Sequence, residues 1–253
     1  MAAPGLRIES FPDVHAYLDA VGSFLAAREA EHNLLLGIAG TIRDHPATYP
    51  GPKLFLTVMD GDGVVAVASR TDPWRVLLSE TQRPEAVELF VPASMGHATP
   101  LPGVAGPPEA AARFARAFEV ATARRARRGM SEGVFRLQLV TMPAQPPGRW
   151  RFATPGDVDR IADWLVAFQA EAVPEDPSMP DVREVVAGWV GGRRFVYLWE
   201  VDGTPVSLAT ASAPTPNGIR IGPVYTPPEE RGRGYARALT AAASQDQLGR
   251  GLT

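Results

Sequence analysis

The chain is 253 residues long, with 25 basic and 28 acidic side chains and a formal net charge of −3. Hydrophobic residues make up 45% and charged residues 21%, the balance of a soluble globular protein with room for one large or two modest domains. So small a net charge gives no global pull towards nucleic acid or an anionic membrane, and the lack of cysteine excludes disulfides, thiolate nucleophiles and cysteine metal sites. Residues 1–5 begin no export signal and no apolar run is long enough to span a bilayer, so a cytoplasmic protein is expected.

Apolar residues Val14, Tyr17, Leu18, Val21 and Leu25 at helical spacing predict a helix from Val14 to about Arg28. A second covers Asn33 to Ile42 and ends before Pro46. Leu54 to Asp60 reads as a strand, Asp60-Gly61-Asp62-Gly63 as its hairpin turn, and Val64 to Ser69 and Arg75 to Leu78 as further strands. Val87 to Val91 fits either helix or strand. Pro108 to Arg128 reads as a helix stopped by Gly129, with Arg124, Arg125, Arg127 and Arg128 in its last turn, where cations favour the dipole. Alternation around Arg136 and Gln138 predicts a strand from Val134 to Val140. The proline-rich stretch Met142 to Gly148 is read as a linker between domains at 1–141 and 149–253.

In the second half Trp150 to Phe152 makes a short strand. Thr154-Pro155-Gly156-Asp157 then opens a helix carrying Ile161, Trp164, Leu165 and Phe168 on one face. Pro174 to Pro180 is a loop, and Val182 to Val190 a helix closed by Gly191-Gly192. Phe195 to Val201, turned by Asp202-Gly203, pairs with Val206 to Ser212, and Ile219 to Tyr225 is the next strand. Gly222-Pro223 within it requires a bulge or an unpaired edge. Trp164, Trp189 and Trp199 fall on apolar faces and read as core. His15, His32, His45 and His97 lack metal-ligand spacing, so no metal site is expected.

The stretch with the most chemistry follows that strand: Thr226-Pro227-Pro228-Glu229-Glu230-Arg231-Gly232-Arg233-Gly234-Tyr235-Ala236. A strand, a basic glycine loop and a helix beginning near Tyr235 gather main-chain N–H groups and a positive helix end, a geometry suited to phosphate. No Lys-Ser or Lys-Thr closes the loop, which rules out a Walker motif, and the glycine spacing is not that of a dinucleotide fold. Arg231, Gly234 and Ala236 do satisfy the Arg/Gln-x-x-Gly-x-Gly/Ala pattern of the GCN5-related N-acetyltransferases. Val224-Tyr225-Thr226 resembles that family's fourth strand.

The resemblance implies an α/β (α+β) chain of acetyltransferase-like domains, each a mixed, mostly antiparallel twisted sheet flanked by helices, with a splayed central strand pair in the second. It implies acetyl-CoA as co-substrate, its pantetheine paired with the backbone of Val224 and Thr226 and its pyrophosphate on the N–H groups of Gly232, Arg233, Gly234, Tyr235 and Ala236. The Tyr225 N–H is then the expected oxyanion donor. The partner is an amine acceptor attacking directly. No general base can be named; Glu200 and the Tyr225 hydroxyl are the weak candidates, each with an ordinary reading as surface carboxylate or packing tyrosine.

The halves also echo one another. Pro107-Pro108-Glu109 followed by Phe114 to Phe118 parallels Pro227-Pro228-Glu229 followed by Tyr235 to Leu239, and Asp62-Gly63-Val64 parallels Asp202-Gly203-Thr204. Ala110-Ala111-Ala112-Arg113 stands where the second copy has the glycine loop, so the first half is expected to be a degenerate copy without acetyl-CoA binding. The sequence ends where the resembled fold would continue with a fifth strand, a helix and a hairpin. Two classes of function therefore stay open: an N-acetyltransferase, or a non-catalytic CoA-binding or interaction module. An open sheet edge also favours self-association as a homodimer.

Overall fold

The computed structural model describes residues 5–177, 179 and 181–252. The export-signal reading at residues 1–4, the loop reading at 178 and 180, and residue 253 lie outside the described residues. The chain divides into compact units at 1–135 and 136–253. The α/β architecture expected from the sequence is present, with one sheet in each unit. Among the described residues no helix is long and apolar enough to cross a membrane.

In the first unit, β1 (Leu6–Ser10), β2 (Lys53–Asp60), β3 (Gly63–Thr71), β4 (Val76–Leu78) and β5 (Val104–Ala105) form a sheet in that order, antiparallel except for the parallel β4–β5 pair. Successive side chains of a strand point to opposite faces, so the sheet has two cores. Phe55 and Val67 meet α1 (Val14–Ala26) and α2 (Asn33–Asp44) through Tyr17, Val21, Leu25, Leu36 and Ile42. Leu56, Val58, Ala66 and Ala68 meet Phe90 and Phe114 from α3 (Phe90–Met95) and α4 (Pro108–Thr122). The ambiguous Val87 to Val91 stretch is helical, within a 3-10 turn over Pro84–Leu89 and the start of α3.

In the second unit, β6 (Arg149–Phe152), β7 (Phe195–Val201), β8 (Thr204–Ser212) and β9 (Arg220–Tyr225) form an antiparallel sheet in that order. On one face α5 (Val158–Ala172) and α6 (Val182–Gly188) cover Val196, Leu198, Leu208 and Tyr225. On the other α7 (Tyr235–Gly249) covers Tyr197, Trp199, Ala209 and Ala211. Trp164, Trp189 and Trp199 are buried, as their spacing predicts. The entry to α5 is pinned by one carboxylate. Asp157 accepts from the Thr154 backbone and hydroxyl, both at 2.8 Å, and from the two terminal nitrogens of Arg151 at 2.8 and 2.9 Å.

The units share an element order of strand, two helices, three strands and a helical segment. Their central hairpins also share a register. Asp60 pairs with Gly63 and Val201 with Thr204, and in each case the next strand carries one extra residue, Val65 or Val206, three positions from the turn. The hairpin equivalence read from the sequence is thus one residue out: Gly61-Asp62 corresponds to Asp202-Gly203. The helices after Pro108 and Tyr235, which echo one another in sequence, differ in chain position: α7 follows β9 directly whereas α4 follows the additional strand β5. Chain order places the 3-10 turn and α3, not α4, where α7 stands.

Two further expectations change. Val134 to Val140 is not a strand; Phe135 and Leu139 are exposed and the segment joins neither sheet. Alternation makes a strand only where a partner edge supplies the hydrogen bonds. The helix predicted to Arg128 ends at Thr122, with Ala123 in the left-handed region at φ 55°, so the arginine run lies beyond the helix end. β9 is the last strand of the second unit among the described residues. The bulge expected at Gly222-Pro223 is present, with both residues opposite Thr210.

The Arg151 fork holds the Asp157 carboxyl at about 2, well below its ordinary value. A lowered folded-state pKa contributes stability that is full above the unfolded value near 4 and is lost as pH falls through 2. Asp157→Asn should therefore lower unfolding free energy by about 1.5–3 kcal/mol at pH 7. The gap between variant and wild type should close between roughly pH 4 and pH 2, as read from urea denaturation across that range.

Candidate functional site

The loop after β9 takes its shape from two glycines. Gly232 has φ 79° and Gly234 φ 84°, in the left-handed region that side chains rarely enter. A Cβ built on either would meet nothing within 4 Å, so it is the conformation and not crowding that calls for glycine. The loop delivers the chain into α7 with Gly234 as N-cap and no side chain capping the helix. The Arg231 N–H is taken by the Pro228 carbonyl and that of Ala238 by Gly234. Between them lie the N–H groups that lead into α7 at the positive end of the helix.

Beside this loop lies an open cleft of about 430 Å³, lined by Phe168, Glu171 and Ala172 of α5, Val224 and Tyr225 of β9, and Thr226, Arg231 and Ala236. Its size falls within the range of small-molecule sites. The structure thus brings Val224, Tyr225, Thr226, Arg231 and Ala236 to one wall, with Gly232, Arg233, Gly234 and Tyr235 between the last two in sequence.

The orientation of β9 is readable from its partners. The Tyr225 carbonyl accepts from the Ser207 hydroxyl of β8 at 3.1 Å, and so faces the neighbouring strand. In an antiparallel pair the N–H and C=O of one residue point to the same side, so the Tyr225 N–H turns to β8 as well. Val224 and Thr226 then direct their main-chain groups to the open edge. The Tyr225 N–H is accordingly not available as an oxyanion donor. Its side chain does enter the cleft, buried at the base and 6.3 Å from the Trp164 ring between centroids.

Glu171 is the residue the sequence reading missed. Its Oε1 accepts from the Tyr225 hydroxyl at 3.1 Å, and its Oε2 from Arg231 Nη2 at 2.7 Å. Arg231 Nε donates to the Thr226 carbonyl at 2.8 Å, and its guanidinium lies 5.6 Å from the Tyr225 ring centre. The Arg231 hydrogen bond holds the Glu171 carboxyl below its ordinary range, while burial and then Glu171 push the Tyr225 hydroxyl up. At neutral pH the site therefore holds a carboxylate and a protonated tyrosine. One signal was present in the sequence. Glu171 lies three residues after Phe168 on α5, so helical spacing carries an acid onto the end of an apolar face.

The second base candidate lies elsewhere. Glu200 is bound by Arg151 Nε at 2.6 Å and has Arg149 at 3.6 Å, at the β6–β7 side of the sheet, with β8 between it and β9. Arg151 keeps its carboxyl below the ordinary range, so Glu200 is an ionised structural partner outside the cleft lining. Arg233 likewise turns back to Glu230 at 2.9 Å and to the Glu229 carbonyl at 3.2 Å.

Residues 158–252 match the model of the Acetyltransferase (GNAT) family. Solved structures with partial likeness include a ribosomal-protein-alanine N-acetyltransferase from Brucella melitensis, at 20% identity over 41% of this chain and 69% of that one, with a TM-score of 0.37. An N-acetyltransferase from Staphylococcus aureus Mu50 shows 18% identity over 41% and 68%, with a TM-score of 0.36. A GNAT family acetyltransferase from Brucella melitensis in complex with acetyl-CoA shows 19% identity over 43% and 73%, with a TM-score of 0.34. No curated protein matches the chain.

Because only the backbone conformation demands glycine at position 234, Gly234→Ala should fold and lose about 1–2 kcal/mol of stability. Chemical denaturation of the two proteins measures the difference; an unchanged midpoint would remove the left-handed loop from the account.

Proposed function

We propose that the second unit binds acetyl-CoA and transfers its acetyl group to a primary amine. The observation that carries this reading is one cleft lined by Val224 and Tyr225 of β9 and by Thr226, Arg231 and Ala236, the last two flanking the left-handed Gly232–Gly234 loop in sequence. The uncapped N–H groups entering α7 suit a pyrophosphate, and an edge presenting Val224 and Thr226 suits the two amides of a pantetheine arm. The family-model match over residues 158–252 supports the same assignment.

Bound there, acetyl-CoA supplies a thioester whose carbonyl carbon an unprotonated amine attacks, so that a C–N bond forms, the C–S bond breaks and one amine proton ends on the CoA thiol. The Val224 N–H, turned to the open edge, replaces Tyr225 as the donor to the carbonyl oxygen. The chain mainly positions the amine and excludes water around it. Tyr225, with its proton held towards Glu171, can give a proton but is a poor acceptor of one. The lack of an assigned base in the cleft is what favours the second reading, a CoA-binding module without turnover.

The first unit is read as a duplicated, degenerate acetyltransferase-like domain over 1–141, with 142–148 as linker. Its hairpin register and element order support duplication. Its segment after β4 is filled by its own side chains: the Glu80 N–H goes to His32 Nε2 at 3.1 Å and the Arg83 N–H to the Thr81 hydroxyl at 3.0 Å. A Cβ on Gly106 would lie 2.9 Å from the Leu78 Cβ, so β4 and the residue after β5 are too close for an intervening ligand.

Calorimetric titration with acetyl-CoA should give saturable binding to the native chain, and none to a folded Gly234→Trp variant whose indole fills the loop. Binding without acetylation of any amine would select the non-catalytic reading. No binding by the folded native chain would overturn both.

A further inference from the structure

Glu171 is the one anionic side chain among the residues lining the cleft. Its contribution to the stability of the unit is small. Its side chain is 46% exposed, as is that of Arg231, and an ion pair so open to water contributes little to stability. A carboxylate offers about four acceptor directions. The Tyr225 hydroxyl and Arg231 use one on each oxygen, which fixes the group's aim and leaves acceptor capacity on both. Around it stand the apolar walls of Phe168, Ala172 and Val224 and the ring of Tyr225. Arg231 lines the same cleft and answers part of this charge, but with its Nε and Nη2 given to the Thr226 carbonyl and to Glu171 it is held in place, and the carboxylate's remaining acceptor directions together with these walls suit a ligand with one positive charge and an apolar body.

We propose that Glu171 holds the ammonium group of the acceptor, and that the acceptor is a small primary amine, protonated in solution, bearing an apolar or aromatic substituent. The proposal rests on the acetyl-transfer reading of the cleft and adds to it the chemical class of the amine. Glu171 binds and orients; Arg231 and Tyr225 are positioning residues that hold its two oxygens. With Arg231 at hydrogen-bond distance the carboxylate is too weakly basic to keep a proton from the amine, so that proton leaves to solvent. The ammonium is then bound first as a cation and released from Glu171 as it becomes the neutral nucleophile.

Two probes separate charge from shape: 2-phenylethylamine and its neutral counterpart 2-phenylethanol. Each is titrated calorimetrically into the full chain, with and without CoA, for the wild type, Glu171→Gln and Glu171→Asp. The wild type should bind the amine, and Glu171→Gln should bind it about tenfold or more weakly. Glu171→Asp should recover part of the loss, and the alcohol should bind all three proteins alike. A purely structural role would weaken amine and alcohol equally, and unfolding midpoints of the variants report any loss of fold. Equal amine affinity in wild type and Glu171→Gln, or no amine binding by the wild type, overturns the proposal. The acetyl-CoA titration of the wild type is a separate readout. Its failure with a Glu171-dependent amine site intact would overturn acetyl transfer and leave the amine site standing.

Discussion

Everything at the candidate site depends on β9 being paired, among the described residues, along one side only. Tyr225 turns its main chain to β8, where Ser207 holds its carbonyl, and this parity leaves Val224 and Thr226 facing outward. The bulge one turn earlier keeps the strand in place without a regular ladder. Thr210 faces both Gly222 and Pro223, and its hydroxyl donates to the Gly222 carbonyl at 2.7 Å. An open edge is a liability in most sheets. Here it is short, its Thr226 carbonyl is already taken by Arg231, and it ends in a loop that turns back towards α7.

The electrostatics of the loop differ from what its composition suggests. Two arginines beside two glycines look like a cationic cradle. Yet Arg231 is paired with Glu171 and Arg233 with Glu230, so much of their charge is answered locally. What remains to attract an anion is the set of main-chain N–H groups at the head of α7 and the partial charge of the helix. Arg231 then acts chiefly as a brace, joining the end of β9 to α5 through a carbonyl and a carboxylate. This brace sets Glu171 and Tyr225 in a fixed relation, and it gives the cleft one defined acid beside the apolar surfaces of Phe168, Ala172 and Val224.

The two units show how one element order can carry different surfaces. Both have a two-residue turn and the same extra residue in the central hairpin. After the fourth strand they diverge. In the second unit glycines hold main-chain N–H groups open at a helix start. In the first, no glycine occurs between Leu78 and Pro84, and His32 and Thr81 take N–H groups of that segment. Burial pushes the His32 imidazole below its ordinary pKa, which suits a neutral ring that donates to the Leu25 carbonyl and accepts from Glu80. A polar residue with no evident role in the sequence is thus a main-chain acceptor inside the fold.

Local chemistry was legible in the sequence wherever a short stretch determines its own conformation. The helix faces of α1 and α5, the Gly-bearing turns, the Thr154–Asp157 cap and the left-handed loop before α7 all follow from residue spacing and backbone preference. The family pattern at Arg231, Gly234 and Ala236 belongs to the same local level. What the sequence could not decide depends on partners far away in the chain. Val134 to Val140 has a strand's alternation but joins neither sheet. The direction of the Tyr225 N–H depends on its register with β8, and the isolation of Glu200 on its place across the sheet. Glu171 reaches the cleft only because α5 packs on the face of β9 that carries Tyr225, 54 residues further along. Periodicity and backbone preference act over a few residues and can be read directly. Register, edge position and the meeting of side chains from distant elements exist only once the sheet is assembled, and these were decided by the tertiary structure.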